Sequence, residues 1–279
     1  MRFEFTVFAS GSVKSRISIH GPHMNLLKKL LVTLCIFYPF SVFSCEVLEG
    51  KAFRSISVEN GIITFDLVPI DEDARDTSTG DQLGIDINFF NCNTGDRSQI
   101  GQLPFLADTG EVKAAFLAHA EQGSEKELFV IHGVEIRSDT GVKYSGDYYS
   151  VHVYKKSPNG YTKDDKLSRY FGEGGDILAD DYKEVVYLFP YKSKDSVTSR
   201  LQSEAYKKWS SDAPVTLVVN KKSSLYNSPV LADMSRMYLV AGDKVTQEAV
   251  EAGWISVVHK TAKGKLIRGW IQCGNVDGC

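Results

Sequence analysis

The chain has 279 residues, with 32 basic and 35 acidic side chains and a formal net charge of −3. Its length accommodates one or two domains. Its 43% hydrophobic and 24% charged content is that of a globular protein and excludes a disordered chain.

In chain order, residues 1–23 carry no apolar run and end in Gly21, Pro22 and His23. They are read as an extension upstream of the natural start, with no fold of their own. Met24 opens a secretory leader at 24–44. Lys28 and Lys29 give the positive start, residues 30–43 are almost all apolar, and Val42 and Ser44 stand at the small-residue cleavage positions. The apolar run is shorter than the ~20 residues that span a bilayer, and Pro39 interrupts it, so a cleaved signal is favoured over a membrane anchor. Cys45 directly after the cleavage point admits a lipoprotein, but Phe43 in the middle of the preceding triplet fits that pattern poorly.

Cleavage there leaves 27 basic and 34 acidic residues, a net of −7, unevenly spread. Residues 45–212 hold 19 basic and 29 acidic side chains, a net of −10, whereas residues 213–279 hold 8 and 5, a net of +3. An acidic body argues against nucleic acid as a partner.

The spacing predicts a hairpin at 53–68, with Asn60-Gly61 as its turn. Residues 69–82 read as an acidic surface loop and 83–90 as a strand. A helix is expected from Asp108, with Glu111 as capping partner and Val112, Ala115, Phe116 and His119 at helical spacing. Strands follow at 127–137 and 147–155, joined through Asp139-Thr140-Gly141, and Tyr149, Val151 and Val153 share a face. Ser157-Pro158-Asn159-Gly160 is a turn, and 182–189 is a further apolar strand. Val197, Leu201 and Ala205 recur at helical spacing in 194–209, and Ser210 to Pro214 breaks the chain. The fold class expected is therefore an antiparallel α+β domain over 45–212, with a boundary near 212.

Residues 215–276 are short strands and tight turns: 215–219, 224–229, 237–240 into Gly242-Asp243, 253–258, a hairpin tip at 262–265, and 267–271. So many short strands favour closure into a barrel, which removes edges. Leu225-Tyr226 with Pro229, Tyr238-Leu239-Val240 with Gly242-Asp243, and Gly253-Trp254 with Gly269-Trp270-Ile271 resemble the bacterial SH3-like domain family. The resemblance covers the last quarter of the chain. It implies a small all-β barrel over 213–279 that binds cell-wall peptides or other proteins. Tyr226, Tyr238, Trp254 and Trp270 are the candidate ligand-binding aromatics. Against that stands a packing reading, in which a small barrel uses its large residues for core and edges.

Removing the leader takes Cys35 with it and leaves four cysteines, which an oxidising compartment would pair. Cys273 and Cys279 flank a short glycine-bearing loop and are expected to close a local clasp, leaving Cys45 with Cys92.

Other constellations are weak. His119, His132, His152 and His259 lack metal-ligand spacing, and His132 and His152 fall in β runs as structural histidines. No nucleophile elbow or phosphate loop occurs, and Gly172–Asp176 reads as a turn. Asp71, Asp73, Asp76 and Asp81, and Asp176, Asp180 and Asp181, lack the EF-hand pattern.

The sequence therefore reads as an exported protein, periplasmic or secreted. It is expected to need no metal or cofactor, to be non-catalytic, and to recognise a protein partner or a cell-wall peptide or glycan without stable membrane insertion. One form of this is an immunity or inhibitor protein against a basic toxin or hydrolase. The competing reading is a peptidoglycan hydrolase with the tail as targeting module.

Overall fold

A computed structural model describes residues 50–70, 82–121, 123–136, 141–158 and 160–279. The expected leader, the upstream extension, Cys45, the 71–81 acidic segment, Asp139-Thr140 and Asn159 lie outside them.

Strands β1 (Phe53–Val58), β2 (Gly61–Pro69), β3 (Leu83–Asn91) and β4 (Arg97–Gln102) form a four-stranded antiparallel sheet in sequential order. The expected hairpin turn is present. Asn60 takes φ 64°, which asparagine tolerates, and Val58 pairs with Gly61.

A five-stranded sheet follows. It contains β5 (Glu111–Ala118), β6 (Glu127–Glu135), β7 (Asp147–Ser157) and β8 (Gly160–Lys163). After α1 (Asp165–Phe171), the two-residue β9 (Glu173–Gly174) pairs beside β7. A ribbon of β10 (Ile177–Leu178) and β11 (Val185–Tyr187) comes next, then α2 (Lys194–Gln202) and α3 (Glu204–Ser210).

The helix expected from Asp108 is instead strand β5. A register irregularity between Val112 and Ala114 explains the false signal. A bulge shifts side-chain alternation by one residue, so Val112 and Ala115, three apart, share a face as helical neighbours would. Val112 and Ala115 pack with the four-stranded sheet, while Phe116 packs on the opposite side. The apolar strand expected at 182–189 shortens to β11, and Tyr182, Val185, Val186 and Leu188 remain exposed.

β6 is buried along nearly its whole length, because both of its faces are covered. Leu128 and Val130 pack with Ile63, Phe65, Ile85 and Ile87 of the four-stranded sheet. Phe129 and Ile131 pack on the other side with the helices. The helices are short. α1 is capped by Asp164, whose side chain accepts from Leu167 N, and α2 by a Ser193–Ser196 capping box. Val197, Leu201 and Ala205 are buried as their spacing predicts, with a break at Ser203 between α2 and α3.

The C-terminal strands are β12 (Thr216–Val219), β13 (Ser223–Tyr226), β14 (Met234–Leu239), β15 (Lys244–Glu251), β16 (Trp254–Lys260), β17 (Leu266–Gln272) and β18 (Val276–Asp277). They form one antiparallel sheet in the order β14-β13-β17-β16-β15-β12-β18. This corrects the expected fold class. The described chain is mostly β in antiparallel sheets with three short helices, not an α+β domain followed by a small SH3-like barrel. Among the described residues no ladder joins β14 to β18, so the sheet has two edges. Both are blunted. β18 has two residues and lies beside the Cys273–Cys279 disulfide, and β14 has an irregular register against β13.

The sheet docks through the β15–β16 turn. Glu251 pairs with Trp254, leaving Ala252 (φ 50°) and Gly253 (φ 81°) as a two-residue turn of the type that suits hairpin twist. Ala252 N donates to Tyr170 O at 3.2 Å, and Tyr187 Oη donates to Ala252 O at 2.5 Å. A side chain at Gly253 would strike the Pro190 ring, its ideal Cβ lying 2.7 Å from Cδ. One apolar cluster consequently runs from Phe129 and the helices into Leu225, Trp254, Ile255 and Ile271.

Candidate functional site

Alternation in β16 and β17 sorts the C-terminal aromatics. Ile255, Val257 and Ile271 are at most 1% exposed and point to the core. Trp254, Ser256, Trp270 and Gln272 therefore occupy the outer face, with Ser256 opposite Trp270 and Trp254 opposite Gln272. Tyr226 pairs laterally with both Trp270 and Met234, which extends this face to the edge.

The four candidate aromatics share the region but not the same exposure. Trp254 is 4% exposed, because Tyr187 stacks on it at 5.5 Å and Tyr226 meets it edge-on at 4.9 Å. Tyr226 is also buried. Trp270 is half-buried. Tyr238 is exposed, with Lys222 Nζ 4.6 Å above its ring. The accessible part of the face is thus Trp270, Tyr238 and the exposed Met234, and Trp254 serves as its support. On the β11 side, Gln272 Nε2 donates to Val186 O at 3.4 Å, bringing the exposed Val186 alongside.

Tyr187, Met234 and Gln272 are residues of this face that sequence reasoning missed. Gln272 lies opposite Trp254 because the turn spans 261–265 and Lys260 pairs with Leu266; the tip expected at 262–265 would place Cys273 there instead. Tyr187 was not readable either, because its stacking depends on chain distant in sequence.

A second polar group lies where the five-stranded sheet faces β4. The Ser150 hydroxyl and His152 Nε2 share a 2.9 Å hydrogen bond. His152 borders a cleft of about 370 Å³ with Gly101, Gln102, Pro104, Tyr154 and Lys163. Burial, with Lys163 and His132 adding repulsion, pushes the His152 pKa down to about 4, so the ring is neutral at pH 7. His132, opposite Ser150, donates from Nε2 to Thr109 O at 2.9 Å and is buried as a structural histidine. Gly110, at φ 65°, permits this approach, since a Cβ there would lie 2.5 Å from His132 Nε2. Ser150 is only 3% exposed, so its hydroxyl is closed to a substrate.

The 176–181 carboxylates are dispersed. Asp176 accepts from Phe189 N and pairs with Lys192 at 2.5 Å, and Asp181 accepts from Lys183 N. Among the described residues no cluster of metal-ligating side chains occurs.

Cys273 and Cys279 form a disulfide, with Cα atoms 5.3 Å apart. Cys92 is also disulfide-bonded; its expected partner, Cys45, is outside the described residues. Disulfides fit an oxidising, extracytoplasmic compartment. Among the described residues no helix is long and apolar enough to cross a membrane. No family model matches the chain, and no curated protein or solved structure matches it significantly.

Proposed function

We propose that the chain is an exported, non-catalytic binding protein of the cell envelope, periplasmic or secreted, that recognises a protein or a cell-wall peptide or glycan through the outer face of its C-terminal sheet. The observation that carries this reading is the half-buried Trp270 between the exposed Met234 and Tyr238 side and the supporting Trp254. Aromatic rings held by a rigid sheet supply large contact area at little entropic cost. The acidic stretch 45–212 supports a more specific form: an inhibitor that approaches a basic toxin or hydrolase with electrostatic steering.

Affinity capture from envelope extract tests it. The intact protein should retain a stoichiometric partner or sediment with purified cell wall. Trp270→Ala should abolish this while leaving the circular dichroism spectrum unchanged. Retention unaffected by Trp270→Ala removes the face from consideration. Clearing of peptidoglycan by the purified protein in zymography replaces binding with hydrolysis.

A further inference from the structure

The outer face of the C-terminal sheet continues beyond Trp270. Alternation along β17 puts Arg268 and Leu266 on the same side as Trp270. Arg268 pairs with Val258, and Thr246 pairs with both Val258 and Thr216, so these four residues form one row across four strands. In the next row Lys260 pairs with Leu266, and Lys244 pairs with Val218. The register that sets Thr246 against Val258 brings Lys244 and Lys260, two residues further along their strands, to facing positions in that row. His259 Nδ1 donates to Lys244 O at 3.0 Å and ties the two strands there.

Two exposed ammonium groups thus stand on neighbouring strands, where like charges repel. Among the described residues no carboxylate lies within ion-pair distance of either lysine. Glu248, on the same face, is engaged by Arg268 Nε at 3.2 Å. Lys244 and Lys260 line a groove of about 490 Å³ that also takes in Glu248, the hydroxyl-bearing Thr216 and Thr246, and the apolar Val258 and Leu266. Leu266 is 48% exposed.

We infer that this groove docks an extended acidic segment of a partner protein, with a carboxylate between Lys244 and Lys260 and an apolar side chain against Trp270. The inference rests on the outer face being the binding surface, and it specifies the chemistry of what binds there. A carboxylate relieves the repulsion between the lysines. Residues 213–279 carry a net of +3 against −10 for 45–212, so an acidic segment is drawn to this part of the chain. Leu266 and Trp270 are separated along β17 by about 13 Å, at ~3.3 Å per residue. An extended ligand therefore needs its acidic residue about four positions from its apolar one. The cationic and aromatic contacts lie in line along one strand, which suits an extended chain better than a flat anionic surface.

The experiment is fluorescence anisotropy at low salt with the whole protein and a short labelled peptide. The peptide carries a leucine and, about four residues on, two adjacent glutamates; its control has glutamine in place of glutamate. The acidic peptide should bind roughly fivefold more tightly than the control. Lys244→Gln with Lys260→Gln should remove that preference. The same change should leave the melting temperature unchanged or higher, because it removes a repulsion. Trp270→Ala should weaken both peptides alike. If Trp270→Ala affects neither peptide, the outer face fails as a binding surface. If both peptides depend on Trp270 but bind equally, the face stands and the acidic groove is overturned. A melting temperature lowered by the lysine substitutions would show that the lysines are already paired within the protein, and would also overturn it. So would binding to phosphatidylglycerol vesicles with no preference between the peptides, which would assign the lysines to a lipid surface.

Discussion

The two faces of the five-stranded sheet bury different chemistry. Toward the four-stranded sheet, Leu128 and Val130 meet Ile63, Phe65, Ile85 and Ile87 in a largely apolar layer, with the polar groups His132, Ser150 and His152 beside it. Toward the helices, Phe129 and Ile131 meet Tyr170, Phe171, Tyr191 and Tyr206, so hydroxyls and Arg200 are embedded within the packing. The first face gains most of its stability from buried apolar area. The second must also satisfy polar atoms, and there the fold depends on position as well as on volume.

Truncation should register the largest losses, on both faces. Phe65→Ala and Phe129→Ala, at 0% exposure, should each cost about 3–5 kcal/mol in urea unfolding. A loss on one face much below the other would show that the layers do not unfold together. Trp254→Ala should fall in the same range, and Trp270→Ala, half-buried, at about 1–2 kcal/mol. Equal costs for the two tryptophans would mean that Trp270 is packing rather than platform.

Acid should act first at the polar groups beside the apolar layer. The folded-state pKa of His152, about 4, lies below the ordinary histidine value near 6.5, so the unfolded chain binds the extra proton. That contribution is complete above pH 6.5 and is lost as pH falls toward 4. It should amount to at most about 3 kcal/mol, and His152→Gln should flatten the slope of unfolding free energy against pH in that window. An unchanged slope would place the acid sensitivity elsewhere. An effect of the same modest size as that of Trp270→Ala should come from Cys273→Ser with Cys279→Ser. A closure spanning so few residues contributes about 2 kcal/mol or less, visible as a lower urea midpoint.

These expectations rest on features of unequal legibility. The 53–68 hairpin, the strands containing Leu83, Glu127 and Asp147, and the buried Val197, Leu201 and Ala205 row follow from turn chemistry and local periodicity, and the sequence shows them directly. The Asp108 segment misled because the irregularity between Val112 and Ala114 imitates a helical repeat. Closure of the C-terminal strands was inferred from their number and shortness. Whether strands close depends on which ones pair at the ends, and nothing local encodes that. β15 and β18 passed unnoticed: exposed charged residues break up the first, and the second has only two residues. The aromatics of the candidate face were identifiable by type. Their division into covered Trp254 and accessible Trp270 was not, because Tyr187 provides the cover.

The margins of the C-terminal sheet bear on how the molecule behaves in a crowd. A long bare strand invites neighbours to stack and grow fibrils, and this sheet offers only a kinked border at Met234–Leu239 and a two-residue stub next to a covalent clasp. A reductant frees the stub to fray and uncovers β12 behind it. Concentrated samples should accordingly stay clear while oxidised and turn turbid once the thiols are released.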